Sequence, residues 1–358
     1  PNPPNPNPPN PIMQRGLNIV AIGGGTGLST LLRGLKAYVA VEGTWSISRL
    51  GAIVTVTDEG GSSGVLRKEF GMLPPGDIRN CIVALADQEQ LLSRLFSYRF
   101  DAGSALEGHA LGNLLLTAMT DITGSFDNAI LAASEVLAIR GDIYPSTLSD
   151  VRIRATLEDG TQLLGEVAIS GSKIGEQPTT KSRHGRIVHL GIDPSDAPPP
   201  DRAITALAEA DMIIIGPGSL YTSVLPNLVI KKIADALRQS RALRVYICNV
   251  MTQPNETDGY SAEDHLSAII EHAGLVVDVM IVNGRRPSEQ ILENYGRLNQ
   301  IPVAFDIAAV KDLGVTPFFG DIIAEGNFVR HDSEALAGTI FRLYDRYGRT
   351  LERMRRDT

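Results

Sequence analysis

Two adjacent carboxylates, Asp58 and Glu59, stand in a run of hydroxyls and glycines, Thr57-Asp58-Glu59-Gly60-Gly61-Ser62-Ser63-Gly64. Beside a bound phosphate, such a pair holds Mg²⁺ through one or two oxygens, with water and phosphate completing the shell. Two other readings stand next to that one: a general base, or a loop in which Asp58 caps and Glu59 faces water. His109 divides in the same way, between a donor to a ligand phosphate and a structural hydrogen bond ahead of a helix. No Ser/His/Asp or Cys/His arrangement has local support. Cys81 and Cys248, the only cysteines, belong to no CxxC or Cys/His metal spacing.

The other chemistry in the chain suits phosphate. In Asn18-Ile-Val-Ala-Ile-Gly-Gly-Gly-Thr-Gly-Leu-Ser-Thr30, a β-branched run stops at Gly23, Gly24, Gly25 and Gly27, and helical spacing resumes from Leu28 through Leu31, Leu32 and Leu35. Thr26, Ser29 and Thr30 place hydroxyls where the first helical N–H groups lack partners, which makes an anion cradle. The residues after Gly27 are Leu28 and Ser29, not the Lys-Ser/Thr of a P-loop. Leu28 also occupies the position of the last glycine of a dinucleotide fingerprint. A nucleotide or phosphate ligand other than at a standard NAD or ATP site is expected, with a ligand-free βα turn as the alternative.

The elements that position these loops follow from periodicity. Apolar runs at Asn18–Ile22, Gly51–Val56, Met212–Ile215, Leu243–Ile247 and Val276–Val282 read as buried strands. Each leads into a loop of Gly, Ser, Thr, Asn or Asp, including Gly216-Pro217-Gly218-Ser219, Asn249 to Gln253, and Asn283-Gly284. In a parallel sheet these loops share the carboxyl edge, where open α/β sheets bind ligands. Helices are expected at Ile78–Ala86 with Asp77 as N-cap, after the stretch Gly108 to Asn113 as far as Met119, and at Asn128–Leu137, Ala203–Ala210, Val229–Leu237, His265–His272 and Ser333–Arg346. From about 141 to 200 a β-rich insertion is expected, with strands at Val151–Ala155 and Gln162–Ile169 around Glu158-Asp159-Gly160, and at Arg186–Leu190. Its basic loop, Lys181, Arg183, His184 and Arg186, reads first as a solvated loop and second as a ligand contact.

Composition narrows the class. The chain has 358 residues, 43% hydrophobic, enough for a substantial core, and a formal net charge of -8 that argues against a nucleic-acid surface. Two cysteines exclude a disulfide framework and suit a reducing cytoplasm. No apolar run reaches the length of a membrane span, and no signal-peptide pattern is present. The opening PNPPNPNPPNP, without Met, reads as an extended solvated tail over residues 1–16 and as the downstream part of a longer product. The folded domain is expected over 17–346, with a short tail over 347–358.

Taken together, Gly23-Gly24-Gly25-Thr26-Gly27, Asp58 through Gly64, Pro74 through Asn80, Gly108 through Asn113, Gly216-Pro217-Gly218-Ser219 with Tyr221-Thr222-Ser223, and Asn249 through Asp258 resemble the gluconeogenesis factor family. These YvcK-like proteins are relatives of the 2-phospho-L-lactate transferase (CofD) group. The resemblance covers Leu17 to about Arg346 in order. It implies a Rossmann-like three-layer α/β/α core with a mostly parallel sheet and a cytoplasmic protein that binds UDP-sugars, particularly UDP-N-acetylglucosamine. It also implies a regulatory role linking gluconeogenic growth to cell shape and cell-wall precursor supply, with no required cofactor. A regulatory partner protein and self-association go with this reading; nucleic acid and membrane contact do not. The alternative it carries is an Mg²⁺-dependent phospholactyl transferase acting on a deazaflavin acceptor, with Asp58 and Glu59 at the metal. Glu59 stands where the family usually has aspartate, which alters that metal geometry.

The site expected from the resemblance and the loops is Gly24, Gly25, Thr26, Gly27, Thr57, Asp58, Asn80, His109, Asn113, Gly216, Gly218, Ser219, Asn249, Thr252 and Arg330. Backbone amides of Gly24–Gly27 and Gly218–Ser219 would receive a diphosphate. Asn113, Asn249 and Thr252 would contact uracil or sugar, and Arg330, in Val329-Arg330-His331-Asp332, would offset charge.

Overall fold

In the computed structural model, which describes residues 16–356 other than 88, 102, 172–184 and 327, the apolar runs become neighbours in one sheet. β1 (Leu17–Gly23) leads into α1 (Gly25–Lys36) and β2 (Ile47–Val54). A helical layer follows, α2 (Gly61–Phe70), α3 (Gly76–Leu85), α4 (Glu89–Ser97), α5 (Leu111–Thr123) and α6 (Phe126–Val136), before β3 (Asp142–Pro145). The insertion contributes β4 (Arg152–Leu157), β5 (Gln162–Leu164), α7 (Glu166–Ser170) and β6 (Ile187–Asp193). The α/β alternation then resumes with α8 (Asp201–Glu209), β7 (Met212–Ile215), a π-helical turn (Leu220–Val224) running into α9 (Leu225–Leu228), α10 (Lys231–Gln239) and β8 (Leu243–Ile247). α11 (Ala262–Ala273), β9 (Val279–Asn283), α12 (Glu289–Gly296), α13 (Ile307–Asp312) and β10 (Thr316–Gly320) follow. A hairpin of β11 (Ile323–Glu325) and β12 (Val329–His331), then α14 (Ser333–Arg356), complete the chain.

The main sheet runs β3-β2-β1-β7-β8-β9-β10 with every neighbouring pair parallel. The chain builds outward from β1 to β3, then crosses back to lay β7 on the other side of β1, with Ile19 opposite Met212 and Ile22 opposite Ile215. That reversal opens a crevice at the carboxyl ends of β1 and β7. α1, α3 and α14 cover one face; α8, α9 and α10 cover the other. With both faces covered, the central strands are mostly apolar, and all four residues of β7 are apolar and buried.

Several elements differ from the sequence expectation. α1 starts at Gly25, not Leu28, so Thr26 and Gly27 lie in its first turn. The serine- and glycine-rich stretch after Gly60 is helical, as α2. Asp77 is not an N-cap: α3 begins at Gly76 after Pro75, with no side-chain cap. The insertion begins later than residue 141, because β3 pairs with β2 in the main sheet. Its own strands form an antiparallel sheet, β5-β4-β6, and the stretch read as a strand to Ile169 instead turns into α7. The closing helix runs to Arg356, past the expected end at Arg346 and through most of the expected tail. Residues 1–15 lie outside the described residues, as do Lys181, Arg183 and His184 of the basic loop. Arg186 pairs with Asp264 at 2.7 Å and lies over the Tyr260 ring, 4.5 Å from its centroid.

Candidate ligand-binding site

At the crevice the glycines of β1 and β7 have steric reasons. Gly25 has φ +63°, a left-handed backbone that side chains disfavour. A Cβ on Gly27 would lie 2.4 Å from the Pro217 carbonyl oxygen, so α1 can approach the β7 loop this closely only without a side chain. Buried Asn227 fastens the two loops, its Nδ2 donating to the Gly23 carbonyl at 3.2 Å and the Ser223 carbonyl at 2.8 Å. The amides of Thr26 and Gly27, in the first turn of α1, have no intrahelical acceptor and carry the positive end of the helix dipole.

These loops open onto a cavity of about 410 Å³. Its walls are Gly24 to Gly27, Gly218 and Ser219, Asn249 to Gln253, and the β12 residues Arg330 and His331. Tyr295 donates to the Val329 carbonyl at 3.3 Å, which holds β12 in place. Arg330 is exposed. Burial pushes the neighbouring His331 imidazole down to about 4, so at neutral pH Arg330 supplies the positive charge of this wall.

Carboxyls lie below the glycine loop. Asp77 accepts the Gly25 amide, and a Cβ on Gly24 would meet its Oδ2 at 2.6 Å. Burial, then the Asp58 charge, pushes Asp77 up to about 7 against lowering by the Gly25 amide and Arg79. Asp58 Oδ1 accepts from the Gly60 amide at 2.8 Å. Glu166, brought in by α7, lines the cavity and is hydrogen-bonded to Asp58; burial, then the Asp58 and Asp77 charges, raise its pKa. At neutral pH this group therefore carries fewer negative charges than its three carboxyls imply, which lowers the repulsion an incoming anion meets.

Glu59 is directed away from this group. Its Oε1 lies 3.2 Å from Arg152 and 4.0 Å from Arg67, and its other oxygen crowds Gly165 of the insertion. The residues present fit a divalent cation poorly, since Glu59 is held by arginines and Asp58 by its own loop; no cluster of three His, Cys, Asp or Glu suited to a metal occurs among the described residues.

The expected site residues separate into groups. Gly24, Gly25, Thr26, Gly27, Gly218, Ser219, Asn249, Thr252 and Arg330 line one cavity. Gly216 stands behind it, its amide donating to the Ile22 carbonyl at 2.8 Å. Thr57 is buried against Thr55, 2.9 Å between hydroxyls, and Asp58 reaches the cavity through Glu166. His109, Asn113 and Asn80 instead join a polar chain at the helical layer: His109 Nδ1 lies 3.1 Å from Ser62 Oγ, which accepts from Asn113 Nδ2 at 3.1 Å, while Arg79 donates to Asn113 at 3.2 Å and to Asn80 at 2.8 Å. None of these three lines the cavity. Sequence reasoning missed Glu166, which lay in a stretch read as a strand, and Tyr295 and Gln300, which carried no local signal.

An open parallel sheet with amide-rich glycine loops at its reversal point defines a Rossmann-like α/β protein. The chain belongs to the CofD family, described as 2-phospho-L-lactate transferase CofD, whose model matches residues 19–323, and within it to the gluconeogenesis factors. A candidate gluconeogenesis factor of Nostoc sp. (strain PCC 7120) is 51% identical over 336 residues, 93% of this chain and 70% of the relative. The gluconeogenesis factor of Bacillus subtilis (strain 168) is 44% identical over 324 residues, 90% of this chain and 96% of the relative. A crystal structure of a Bacillus halodurans protein superposes with a TM-score of 0.83 at 43% identity, covering 91% of this chain and all of that one. No helix among the described residues is long and apolar enough to cross a membrane.

Proposed function

We propose that this chain is a UDP-sugar-binding regulatory protein of the cytoplasm, with UDP-N-acetylglucosamine as its ligand, which couples gluconeogenic growth to cell shape and cell-wall precursor supply. The observation that carries the reading is the meeting of the Gly24–Gly27 and Gly218–Ser219 loops with Arg330 around one cavity of about 410 Å³, within the usual size for a small-molecule site. Free amides at a helix start take the diphosphate, and the Arg330 guanidinium closes over it with paired N–H donors. Binding that draws β12 toward the glycine loops alters the surface offered to a regulatory protein partner, so occupancy is reported as shape. Titration calorimetry with UDP-N-acetylglucosamine tests this: a saturable one-site isotherm is expected, and no heat from folded protein overturns it.

The family match also brings a transferase reading. Under it Asp58 would bind Mg²⁺ beside the donor phosphate, and turnover of a phospholactyl-nucleotide donor with a deazaflavin acceptor would stop in Asp58→Asn. The commitment of Glu59 to Arg152 and Arg67 favours binding without turnover.

A further inference from the structure

β6 is an outer strand of the insertion's sheet, β5-β4-β6, paired inward with β4, so the backbone groups on its other edge need partners from elsewhere in the chain. The π-helical turn and α11 supply them. The Ile187 carbonyl accepts from the Tyr221 hydroxyl at 3.2 Å, and that hydroxyl lies 2.8 Å from the hydroxyl of Tyr260. Arg186, just ahead of the strand, pairs with Asp264 of α11 at 2.7 Å. Buried Leu190 donates its amide to Nε2 of His272, also on α11, at 2.8 Å.

The last of these links fixes the state of the ring. A backbone amide only donates and a backbone carbonyl only accepts, so Nε2 presents a lone pair to Leu190, and Nδ1 carries the proton that it donates to the Ala268 carbonyl at 2.6 Å. That is one tautomer of the neutral imidazole. A proton added at Nε2 would point at the Leu190 N–H, and a buried amide would lose its acceptor. The other links hold their charge between about pH 5 and pH 8. Burial raises Tyr221 and Tyr260, and Asp264 is held below its ordinary value, burial being outweighed by hydrogen bonds from Ser261 and Arg186.

The ring is faced by His189 of β6, stacked with centroids 5.4 Å apart, by Tyr221 edge-on at 6.4 Å, and by Glu271 of its own helix. α9 packs on both β6 and α11 and brings no titratable residue. Arg238 of α10 is taken up by Asp235 and the Ala273 carbonyl. α13 meets α11 at its far end, where the Asp306 amide donates to Glu263.

We propose that His272 is a proton-operated latch: neutral, it holds the outer strand of the insertion on α11, and on taking a proton it lets that strand go while the main sheet stays folded. Docking favours the unprotonated ring, because burial pushes the imidazole below its ordinary 6.5 against the Ala268 carbonyl, and a charge on His189 pushes the same way as burial. Docking is therefore complete above 6.5 and weakens as pH falls below it. The insertion also carries α7, whose Glu166 lines the cavity at the glycine loops, so the latch bears on one wall of that site whatever ligand it takes.

The test is hydrogen–deuterium exchange on the whole chain at about pH 7.5 and about pH 5.5, corrected for intrinsic exchange rates, with Met212–Ile215 of β7 as the internal reference. In the wild type, opening of Ile187–Asp193 is expected to rise by up to about tenfold at the lower pH while β7 keeps its protection. His272→Gln places an acceptor that does not titrate where Nε2 was, and is expected to remove that rise; His272→Ala is expected to leave β6 open at both pH values. Equal protection of β6 at the two pH values in the wild type, a matching loss in β7, or an undiminished rise in His272→Gln overturns the latch. Should His272→Gln fail to fold, nitrogen resonances of the wild-type imidazole decide: a lone pair on Nε2 at neutral pH supports the proposal, and a proton there overturns it.

Discussion

Gly27→Ala tests the seat of the diphosphate directly. The added Cβ would lie 2.4 Å from the Pro217 carbonyl oxygen and 2.8 Å from its carbon, where ordinary contact begins at 3.4 Å. Both partners are backbone, so the start of α1 and the β7 loop must separate by about 1 Å. Overpacking of this kind costs about 1–3 kcal/mol, offset by up to about 1 kcal/mol from the better helix propensity of alanine. A net loss of about 1–2 kcal/mol lowers the melting temperature by roughly 2–8 °C in a chain of this size. The same movement stretches an amide-to-phosphate hydrogen bond from about 2.9 to about 3.9 Å, beyond bonding range. Loss of one such charged hydrogen bond, about 1.5–3 kcal/mol, weakens UDP-N-acetylglucosamine binding ten- to hundredfold. Gly34→Ala is the control: its Cβ would lie 2.0 Å from the Ser333 carbonyl, where α1 packs on α14, away from the cavity. Scanning calorimetry should show both variants destabilised, and titration calorimetry should show only Gly27→Ala weakened. Unchanged affinity in a Gly27→Ala protein that melts early would refute the assignment of the diphosphate to this loop.

Arg330→Ala removes an exposed guanidinium, so it should leave the melting temperature within about 2 °C and weaken nucleotide-sugar binding at least about tenfold by calorimetry. Arg67→Met should cost about 3 kcal/mol in urea unfolding, because buried Arg67 donates to the Val151 carbonyl at 2.7 Å and pairs with Asp150, and its loss leaves Glu59 short of a partner. Asp77, raised from its ordinary value of 3.8 to about 7, releases its proton more readily unfolded than folded. Its stabilising share is complete below about pH 4 and is lost as pH rises through about 7. Asp77→Asn should therefore gain on the wild type between pH 5 and 8, by at most on the order of 4 kcal/mol, read as a melting-temperature difference that widens with pH; a difference independent of pH would contradict the raised carboxyl.

The sequence shows the sheet centre well and its margins poorly. Met212–Ile215 and Leu243–Ile247 were legible to the residue, because both-face burial demands an unbroken apolar run between polar neighbours. β10 and β3 were not: Thr-Pro-Phe-Phe-Gly and Asp-Ile-Tyr-Pro each contain a proline, which argues against a strand unless the strand lies at an edge, as both do. α2 hid behind its glycines and serines, whose helical state is set by neighbours such as buried Arg67 and not by propensity. At the site, the glycine loops were legible from type and spacing. Asp77 drew attention for the wrong reason: a carboxylate at a helix start looks like a cap, and only the fold shows it beneath Gly25. Glu166 was invisible, since an insertion residue reaches the cavity through the docking of α7, where Asn255 donates to the Ser170 carbonyl at 3.0 Å.

The prolines at both margins bear on what the borders of the main sheet can accept. Pro145 in β3 and Pro317 in β10 each deprive an outermost strand of a ladder donor, so neither border templates the orderly addition of a foreign strand. Fibril-like stacking of the main sheet is thereby discouraged at each end.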